Sequence, residues 1–352
     1  MIRQEKDSIL GMEPNELTDR LTAMGEPSFR AGQVFEWLHK RLVTDYDEMT
    51  NLPKVLRQRL ATKLPLVLPQ IHRLQRSRID GTRKYLFLLE DGNLIESVLM
   101  KYRYGYSVCI SSQAGCAMGC TFCASTSGGL IRNLTTADLL GQVYAIARSL
   151  PEEERISHVV VMGTGEPLLN LEHLLPFIRI LSDERGMQLS KRNITVSTCG
   201  IVPGIRRLAA EQLPITLALS LHAPTQALRQ SLMPIAGTYP LEDVLEACRD
   251  YFQQTGRRMT YEYAMIRGVN DSAQQAKQLV YLFRKEAAHL NLIPLNGVDG
   301  SGLSAASGNT IRQFAQILAN SGINVTIRRS LGADIDGACG QLRRKYMQQA
   351  QE

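Results

Sequence analysis

The sequence predicts an α/β protein whose main domain is a parallel sheet wrapped by helices, preceded by a small helical domain and a β-hairpin. From Tyr106 onward, strand-like runs alternate with helical stretches at intervals of roughly thirty to forty residues, which suits βα units in a barrel or partial barrel. The runs are Ser107–Ser112, His158–Met162, Asn193–Thr198, Ile215–Leu221, Thr260–Ile266, Leu290–Pro294 and Asn324–Arg328. Periodicity alone leaves a closed barrel, an open barrel and a doubly wound sheet as alternatives.

The first part of the chain has a helical pattern. Leu17, Leu21 and Met24 recur at spacings of four and three, which places them on one face of a helix. Asn15 is a suitable N-cap for that helix. We therefore assign residues 1–69 to a small helical domain, in which the apolar stripes form the core.

A β-hairpin is expected next. The apolar runs Tyr85–Leu89 and Leu94–Leu99 flank the dipeptide Asp91-Gly92, which is a strong signal for a tight turn. We expect this hairpin to link the two domains. The predicted boundaries are 1–69 for the helical domain, 70–101 for the hairpin linker, 102–335 for the main domain and 336–352 for a C-terminal segment.

Composition limits the classes to which the protein can belong. Apolar residues make up 44% of the 352 residues, but no apolar run is long enough to span a bilayer and the N-terminus lacks an apolar signal segment. We therefore expect a soluble, cytoplasmic protein that does not contact the membrane. The seven cysteines, three of them clustered, fit a reducing compartment and a metal site better than a disulfide framework.

The formal net charge of +6 is mild for this length, yet the basic residues are bunched. Such bunching suits a polyanionic partner, although a single arginine pair is more often a solvated surface feature. Charge alone does not establish RNA binding. The bunches are Arg206-Arg207, Arg257-Arg258, Arg328-Arg329 and Arg343-Arg344-Lys345.

The spacing of Cys116, Cys120 and Cys123 predicts an iron–sulfur cluster. A 4Fe-4S cluster usually takes four thiolates, so three closely spaced ones leave one iron open to a substrate or cosubstrate. A structural zinc site is the alternative. It would normally need a fourth Cys or His at metal-ligand spacing nearby, and none follows in the sequence.

Polar and glycine-rich residues follow several predicted strands, at the edge of a parallel sheet where active sites form. In the run Gly163-Thr-Gly-Glu-Pro167, the glycines allow close approach of a ligand and Glu166 could meet an ammonium group. Taken alone, each residue at such a strand end is more simply a loop residue that forms hydrogen bonds than a ligand contact. Their joint placement favours a binding site, whose further members are Ser197, Ser220, Leu221, His222 and Asn296.

Four further cysteines stand outside the cluster motif. Cys339 lies in a polar, glycine-rich segment, which favours a loop that approaches a substrate over a buried structural thiol. Cys109 lies on the strand leading into the cluster motif, where it could be near the cluster, a fourth ligand or part of the core. Cys199 and Cys248 are most simply packing residues.

Six ordered runs carry a resemblance that covers nearly the whole chain: Cys109–Cys123, Arg132–Thr135, Gly163–Leu168, Leu219–Pro224, Asn291–Pro294 and Asp334–Leu342. They resemble the RlmN/Cfr family of radical S-adenosylmethionine (SAM) RNA adenine methyltransferases. The resemblance implies a partial (βα)6-type radical SAM barrel and one 4Fe-4S cluster held by Cys116, Cys120 and Cys123. It also implies SAM bound at Gly165, Glu166, Ser197, Ser220, Leu221, His222 and Asn296.

The chemistry that the resemblance implies uses two SAM molecules per turnover. Adenine C2 is too electron-poor to attack a sulfonium methyl, so a covalent detour is needed. By resemblance, Cys339 takes a methyl from one SAM, and a 5′-deoxyadenosyl radical from a second SAM abstracts hydrogen from it. The carbon radical adds to C2, Glu96 accepts the C2 proton, and Cys109 releases the product by forming a disulfide with Cys339. Without the family, Glu96 would read as an exposed strand carboxylate.

The resemblance also implies partners. They are large-subunit ribosomal RNA before full assembly, transfer RNA, and an electron donor such as flavodoxin and its reductase; we expect a monomer. Pro167 and Pro294 favour the RlmN branch, where Cfr-type sequences tend to have alanine and arginine. Thr164, Cys199 and Gly337 depart from the commoner RlmN residues, and none of the three removes a catalytic group.

Three alternatives stay open at this point. The first is a Cfr-type enzyme that methylates C8 of the ribosomal adenine and confers antibiotic resistance. The second is a non-catalytic metal-containing RNA-binding protein, which would have no use for Cys339 or Cys109. The third is a radical SAM enzyme of another reaction class, which would normally carry a second cluster motif; the sequence contains none.

Overall fold

A computed structural model describes residues 8–297, 302–337 and 340–341. The N-terminal part is helical, as predicted. Its helices are α1 (Pro14–Ala23), α2 (Phe29–His39) and α3 (Lys54–Lys63). Leu17 and Leu21 are buried on one face of α1. The prediction that Asn15 caps this helix is wrong: Glu13 holds the cap position and Pro14 is the first helical residue, where its missing N–H costs no hydrogen bond.

The predicted hairpin is present and belongs to a larger sheet. Three strands follow the helices: β1 (Gln70–Arg76), β2 (Arg83–Leu88) and β3 (Leu94–Tyr102). Strands β2 and β3 pair antiparallel, with Leu88 opposite Leu94, and Gly92 turns between them at a φ of 84°. Strand β1 pairs with β2 on the other side. The hairpin is therefore an antiparallel extension of the main sheet rather than a separate linker strand pair.

The main domain alternates strands and helices. All seven predicted strand runs overlap strands of the structure, which are β4, β7, β8, β9, β10, β11 and β12 below. In chain order the elements are β4 (Gly105–Ile110), β5 (Gln113–Gly115), β6 (Leu130–Asn133), α4 (Thr136–Arg148), β7 (Ile156–Val161), α5 (Leu171–Ser182), β8 (Ile194–Thr198), α6 (Val202–Ala210), β9 (Thr216–Ser220), α7 (Gln226–Leu232), α8 (Leu241–Thr255), β10 (Met259–Met265), α9 (Ala273–Phe283), β11 (Ala288–Pro294), α10 (Gly308–Asn320) and β12 (Asn324–Ile327).

The strand order decides between the architectures that periodicity left open. The ten-stranded sheet runs β1-β2-β3-β4-β7-β8-β9-β10-β11-β12, so each new parallel strand is added on the same side of the one before. A doubly wound sheet would instead reverse direction at its switch point. Strands β1 and β12 stand at opposite edges in the described part of the chain, so the sheet is an open, partial barrel. The predicted α/β fold is confirmed.

The helical part packs directly on the main domain. His39, at the end of α2, is fully buried, and its Nδ1 lies 2.8 Å from the hydroxyl of Tyr144 on α4. The chain that leaves α3 approaches the same helix so closely that a Cβ at Gly141 would overlap the ring of Pro69. Both contacts hold α4 against the N-terminal segment. None of the helices within 8–297, 302–337 and 340–341 has the length and apolar character needed to cross a membrane.

Candidate active site

The three clustered cysteines lie in one connection of the fold. Cys116 directly follows β5, and the loop with Cys120 and Cys123 returns to β6, so the small two-stranded sheet holds both ends. The N–H of Cys116 donates to the carbonyl of Gly129 (3.0 Å), which closes the loop. This arrangement places the cysteines beyond the carboxyl end of β4.

The environment of these thiols fits metal binding. Burial raises the pKa of Cys116 to about 11 and also raises the pKa of Cys120, and the nearby Cys123 acts in the same direction on both. Protons therefore stay on these sulfurs unless a cation replaces them. Iron supplies such a cation, and its binding releases the protons.

The three thiols suit a cluster by their number and their chemistry. Thiolates of an iron–sulfur cluster bind different irons, so their sulfurs need not converge on one centre. Cys116, Cys120 and Cys123 lie on the single connection between β5 and β6 and thus suit the predicted 4Fe-4S cluster.

The loop after β7 lies against the segment that enters the cluster loop. The N–H groups of Ser112 and Gln113 both donate to the carbonyl of Thr164, at 2.9 and 3.1 Å. A Cβ at Gly163 would lie 2.7 Å from the carbonyl oxygen of Ile110, and one at Gly165 would lie 2.6 Å from Cβ of Gln113. Gly165 also has a φ of +110°, which L side chains rarely adopt. Both glycines are therefore required by the fold at this edge.

Glu166 is almost fully buried, and the structure shows how its carboxylate is held. One oxygen accepts the N–H of Leu168 (3.1 Å) and the other accepts the N–H of Cys199 (2.7 Å). Burial raises the pKa of Glu166, against the effect of those two hydrogen bonds. The side chain joins the loop after β7 to the end of β8, so it positions the predicted binding loop in addition to any contact with a ligand.

The predicted residues of β8 and β9 come together at the carboxyl edge. The hydroxyl oxygens of Ser197 and Ser220 lie 3.5 Å apart. The N–H of Leu221 donates to the carbonyl of Glu262 (3.0 Å), and the Leu221 side chain is fully buried. Leu221 can therefore face a ligand only through its backbone.

His222 lies beside the cluster loop and is neutral. Its Nδ1 accepts the N–H of Ala264 (2.9 Å), and burial lowers the pKa of the ring to about 3. The ring packs against Phe122 of the cluster loop in a T-shaped arrangement with centroids 4.7 Å apart. His222 adopts a left-handed φ of 56°, which turns the chain here. The imidazole ring is therefore neutral and held in place, and its proton is on Nε2.

Sequence reasoning missed a polar row that continues from Ser220. Glu262 on β10 lies directly between Ser220 and Asn291 in the strand register, and Asn291 lies opposite Thr326. Asn291 donates to Glu262 (2.9 Å), and the Thr326 hydroxyl donates to Asn291 (2.9 Å). A carboxylate inside an otherwise apolar strand run was the available signal, because buried charges are seldom placed without a partner.

Glu96 and Cys109 share one face of the sheet. Cys109 on β4 lies opposite Val98 on β3, and Glu96 is two residues from Val98. Side chains alternate along a strand, so all three lie on the same face. Glu96 is buried, so the reading of it as an exposed strand carboxylate is wrong.

A cavity opens beside this face. Its lining is largely apolar, with Cys109, Asn296, Ser330 and two arginines as the polar members. Asn296 follows β11, as predicted. The lining residues are Val98, Met100, Cys109, Met162, Ile293, Asn296, Arg328, Arg329, Ser330, Leu331 and Gly337.

Lys84 pairs with Glu96. Its Nζ lies 3.0 Å from the carboxylate, and it also donates to the carbonyl of Asp336 (3.2 Å). Lys84 was not predicted from the sequence, since a lysine on a β-strand usually faces solvent. It connects the strand face to the C-terminal segment.

Cys339 lies outside the described residues. On one side of it, Gly337 lines the cavity and its N–H donates to the carbonyl of Gly332 (2.9 Å). On the other side, the carbonyl of Gly340 accepts the N–H of Ala124 (2.8 Å), one residue past Cys123. The described flanks of Cys339 therefore contact both the cavity and the cluster loop.

Arg229 is a further residue that was not predicted from the sequence. It is fully buried on α7, and its Nη2 donates to the carbonyls of Cys199 (2.6 Å) and Ser220 (3.3 Å). The lone arginine of an amphipathic helix gave no sign of burial. Cys199 and Cys248 are both buried, in agreement with their reading as packing residues.

Two of the four basic bunches lie at opposite ends of the sheet strands. Arg328 and Arg329 follow β12 and line the cavity at the carboxyl edge. Arg257 and Arg258 precede β10, at the amino edge. Of these two pairs, Arg328 and Arg329 are therefore the ones that lie next to the site.

Comparison with known proteins agrees with this geometry. Residues 8–65 match the model of the ribosomal RNA large subunit methyltransferase N-terminal domain, and residues 110–280 match that of the radical SAM superfamily. The superfamily uses a 4Fe-4S cluster and SAM.

Full-length relatives are also similar. A probable dual-specificity RNA methyltransferase RlmN from Lachnoclostridium phytofermentans is 52% identical, over 97% of this chain and 96% of the relative. A protein of the same description from Symbiobacterium thermophilum is 52% identical, over 96% and 92%. The crystal structure of a radical SAM methyltransferase from Sphaerobacter thermophilus superposes with a TM-score of 0.93 at 46% identity, covering 96% of this chain and 99% of that one.

Proposed function

This chain belongs to the RlmN family of radical SAM RNA methyltransferases, and on that premise we propose that it methylates C2 of an adenine in large-subunit ribosomal RNA and in a subset of transfer RNAs. The relatives are described as dual-specificity enzymes, which supports two RNA substrates. Those substrates imply action in the cytoplasm, on ribosomal RNA before full assembly.

The observation that carries the proposal is the shared sheet face of Glu96 and Cys109. The carboxylate and the thiol stand on adjacent strands, and the thiol lines a largely apolar cavity that Arg328 and Arg329 also line. Apolar walls suit a purine that has left its stack, and arginines at the rim suit its phosphates. The residues present thus match a base, a nucleophile and a nucleobase pocket.

When bound, the cluster and SAM supply the one-electron chemistry that activates a methyl group carried on Cys339. We propose Gly165, Glu166, Ser197, Ser220, Leu221, His222 and Asn296 as the SAM contacts. SAM would be oriented by the closely packed backbone at Gly163 and Gly165 and by the neutral ring of His222. An external donor, such as flavodoxin with its reductase, supplies the electron.

Glu96 accepts the C2 proton once the methyl carbon of Cys339 is joined to C2. Lys84 favours the charged carboxylate needed for that step. The adduct also carries the unpaired electron of the added radical, and the oxidised cluster would serve as the one-electron acceptor that removes it. The Cys109 thiolate then attacks the sulfur of Cys339, so an S–S bond forms as the S–C bond breaks. The electron pair of that bond and a proton complete the methyl group, and an external dithiol reduces the disulfide.

The test uses the anaerobically reconstituted chain with SAM, reductant and unmodified large-subunit RNA fragments or transfer RNA. The RNA is digested and methyladenosine is identified by chromatography against C2 and C8 standards. A C2 product supports the proposal, whereas a C8 product assigns the Cfr-type activity. Deoxyadenosine release without RNA methylation would argue against both RNA substrates. Cys109→Ala serves as the inactive variant and Cys248→Ala as the matched cysteine control.

A further inference from the structure

Arg229 forms no ion pair with a carboxylate among the residues that the structure describes. The side chain is fully buried, and its Nη2 donates to the neutral carbonyls of Cys199 and Ser220. Its Nε and Nη1 are buried with no hydrogen-bond partner among the described residues. Burying a guanidinium without complete pairing is unfavourable, because the charge loses its hydration. Such a group is retained where an anion completes its environment.

Glu166 is engaged elsewhere, because its carboxylate oxygens accept the N–H groups of Leu168 and Cys199. Arg229 binds the carbonyl of that same Cys199. The arginine therefore needs another counter-charge.

The cluster loop lies directly against the helix that carries Arg229. Leu232, the last residue of α7, accepts the N–H of Thr121 through its carbonyl oxygen (3.0 Å). A Cβ at Gly119 would contact Pro234 at 3.4 Å. Cys120 stands between these two contacts in the chain. The Arg229 guanidinium interacts electrostatically with the thiols of Cys199, Cys120 and Cys248, of which Cys120 belongs to the cluster loop. The helix that carries Arg229 and the loop that supplies the iron ligands are thus direct neighbours.

We propose that Arg229 is a positioning and charge-compensating residue for the iron–sulfur cluster, which raises the reduction potential of that cluster before SAM binds. One-electron reduction by the external donor adds negative charge to a site that already holds three thiolates. A fixed buried cation makes that addition easier, because reduction potentials follow the net charge and hydrogen bonds around a cluster. The effect requires no RNA and does not depend on which adenine carbon is methylated.

The test compares Arg229→Gln, which keeps a donor for the two carbonyls but removes the charge, with Arg229→Lys, which keeps the charge. Each full-length protein is reconstituted anaerobically, its iron is quantified, and its cluster is titrated with reductant under electron paramagnetic resonance, with and without SAM. Arg207→Gln is the matched control, since Arg207 pairs with Glu172 on the surface.

Without SAM, we expect R229Q to contain as much iron as the wild type. At a fixed potential its ratio of reduced to oxidised cluster should be at least tenfold lower, which equals a midpoint potential about 59 mV lower. R229K and R207Q should match the wild type. Iron retained by R229K and lost by R229Q would also support a charge role. Loss of iron from R229K, equal shifts in R229Q and R229K, or an unchanged R229Q midpoint would overturn the proposal. So would a shift seen only with SAM, which would assign Arg229 to the SAM carboxylate.

Discussion

Lys84 and Glu96 form an ion pair of 3.0 Å whose side chains are only 5% and 1% exposed. The two residues lie on neighbouring strands, with Glu96 opposite Leu86 and Lys84 opposite Val98, so they are diagonal neighbours on one face. Lys84 also donates to the carbonyl of Asp336, at the start of the segment that carries Cys339. One cation therefore joins the proposed base to the proposed methyl-carrying segment.

Replacing Lys84 by methionine should lower RNA methylation, because the buried carboxylate of Glu96 loses the ammonium that pairs with it at 3.0 Å. Glu96→Gln should lower the rate by roughly 10²–10⁴, the usual contribution of a general base. Methyl transfer to C2 and iron content are measured together. Lys101→Met, which breaks an exposed pair with Glu154, is the control and should have little effect. Wild-type methylation by K84M would contradict this role.

Replacing Cys109 by alanine should trap RNA on the protein. Without its thiolate the bond between the Cys339 sulfur and the methyl carbon cannot be exchanged for a disulfide, so a covalent adduct should persist. Denaturing electrophoresis of anaerobic reactions, before and after nuclease digestion, detects it. Cys248→Ala should release product normally. Free methylated RNA from C109A in more than one turnover would show that Cys109 does not resolve the adduct.

Substitution of Gly165 by alanine should weaken SAM binding while the iron content stays unchanged. A Cβ there meets Gln113 at 2.6 Å, and the φ of +110° is strained for alanine, so the loop after β7 must shift. Equilibrium dialysis of SAM against the reconstituted protein measures the change, and a loss of tenfold or more is expected. Gly32→Ala, on α2 with open space around it, is the matched variant and should bind SAM as the wild type does.

Arg328 and Arg329 should contribute to RNA affinity, since they line the cavity at the carboxyl edge of the sheet. Replacing both by alanine should weaken binding and reduce the slope of log K against log salt by about 0.7 for each single-strand phosphate that the arginines neutralise in the wild type. Arg258→Ala, at the amino edge, should leave the slope unchanged. Fluorescence anisotropy at several salt concentrations measures both. Equal slopes in all variants would place the RNA elsewhere.

The stability of the protein should fall in mild acid because of His39 and His222. Burial lowers the pKa of each to about 3, from 6.5 in an unfolded chain, so each is neutral in the fold and takes up a proton on unfolding. Above pH 6.5 the two groups do not change the free energy of unfolding with pH. Between pH 6.5 and about 3, each group lowers that free energy by about 1.4 kcal/mol for every unit that the pH falls.

Urea midpoints of the anaerobic holoprotein at pH 7.5 and 5.5 test this dependence. His39→Gln should show a smaller loss between the two pH values than the wild type. His72→Gln, on the exposed face of β1, should show the full loss. An unchanged loss in H39Q would mean that His39 is already protonated in the fold or does not titrate on unfolding.

The sequence by itself determined the features that depend on neighbours along the chain. The spacing of Cys116, Cys120 and Cys123 predicted the cluster loop, and the alternation of apolar runs predicted the strands, because both are set by covalent separation and side-chain period. The positions of Ser197, Ser220 and Asn296 at strand ends also followed, since parallel strands end at one edge.

Only the tertiary structure decided which distant residues meet. Strand order distinguished an open barrel from a doubly wound sheet, and the register between β3 and β4 put Glu96 and Cys109 on one face. The burial of Lys84 and Arg229 depends on what packs over each side chain, which no local pattern records. The local sequence around a charged residue predicts that its side chain faces solvent. Its partners are determined only when separate strands and loops pack together.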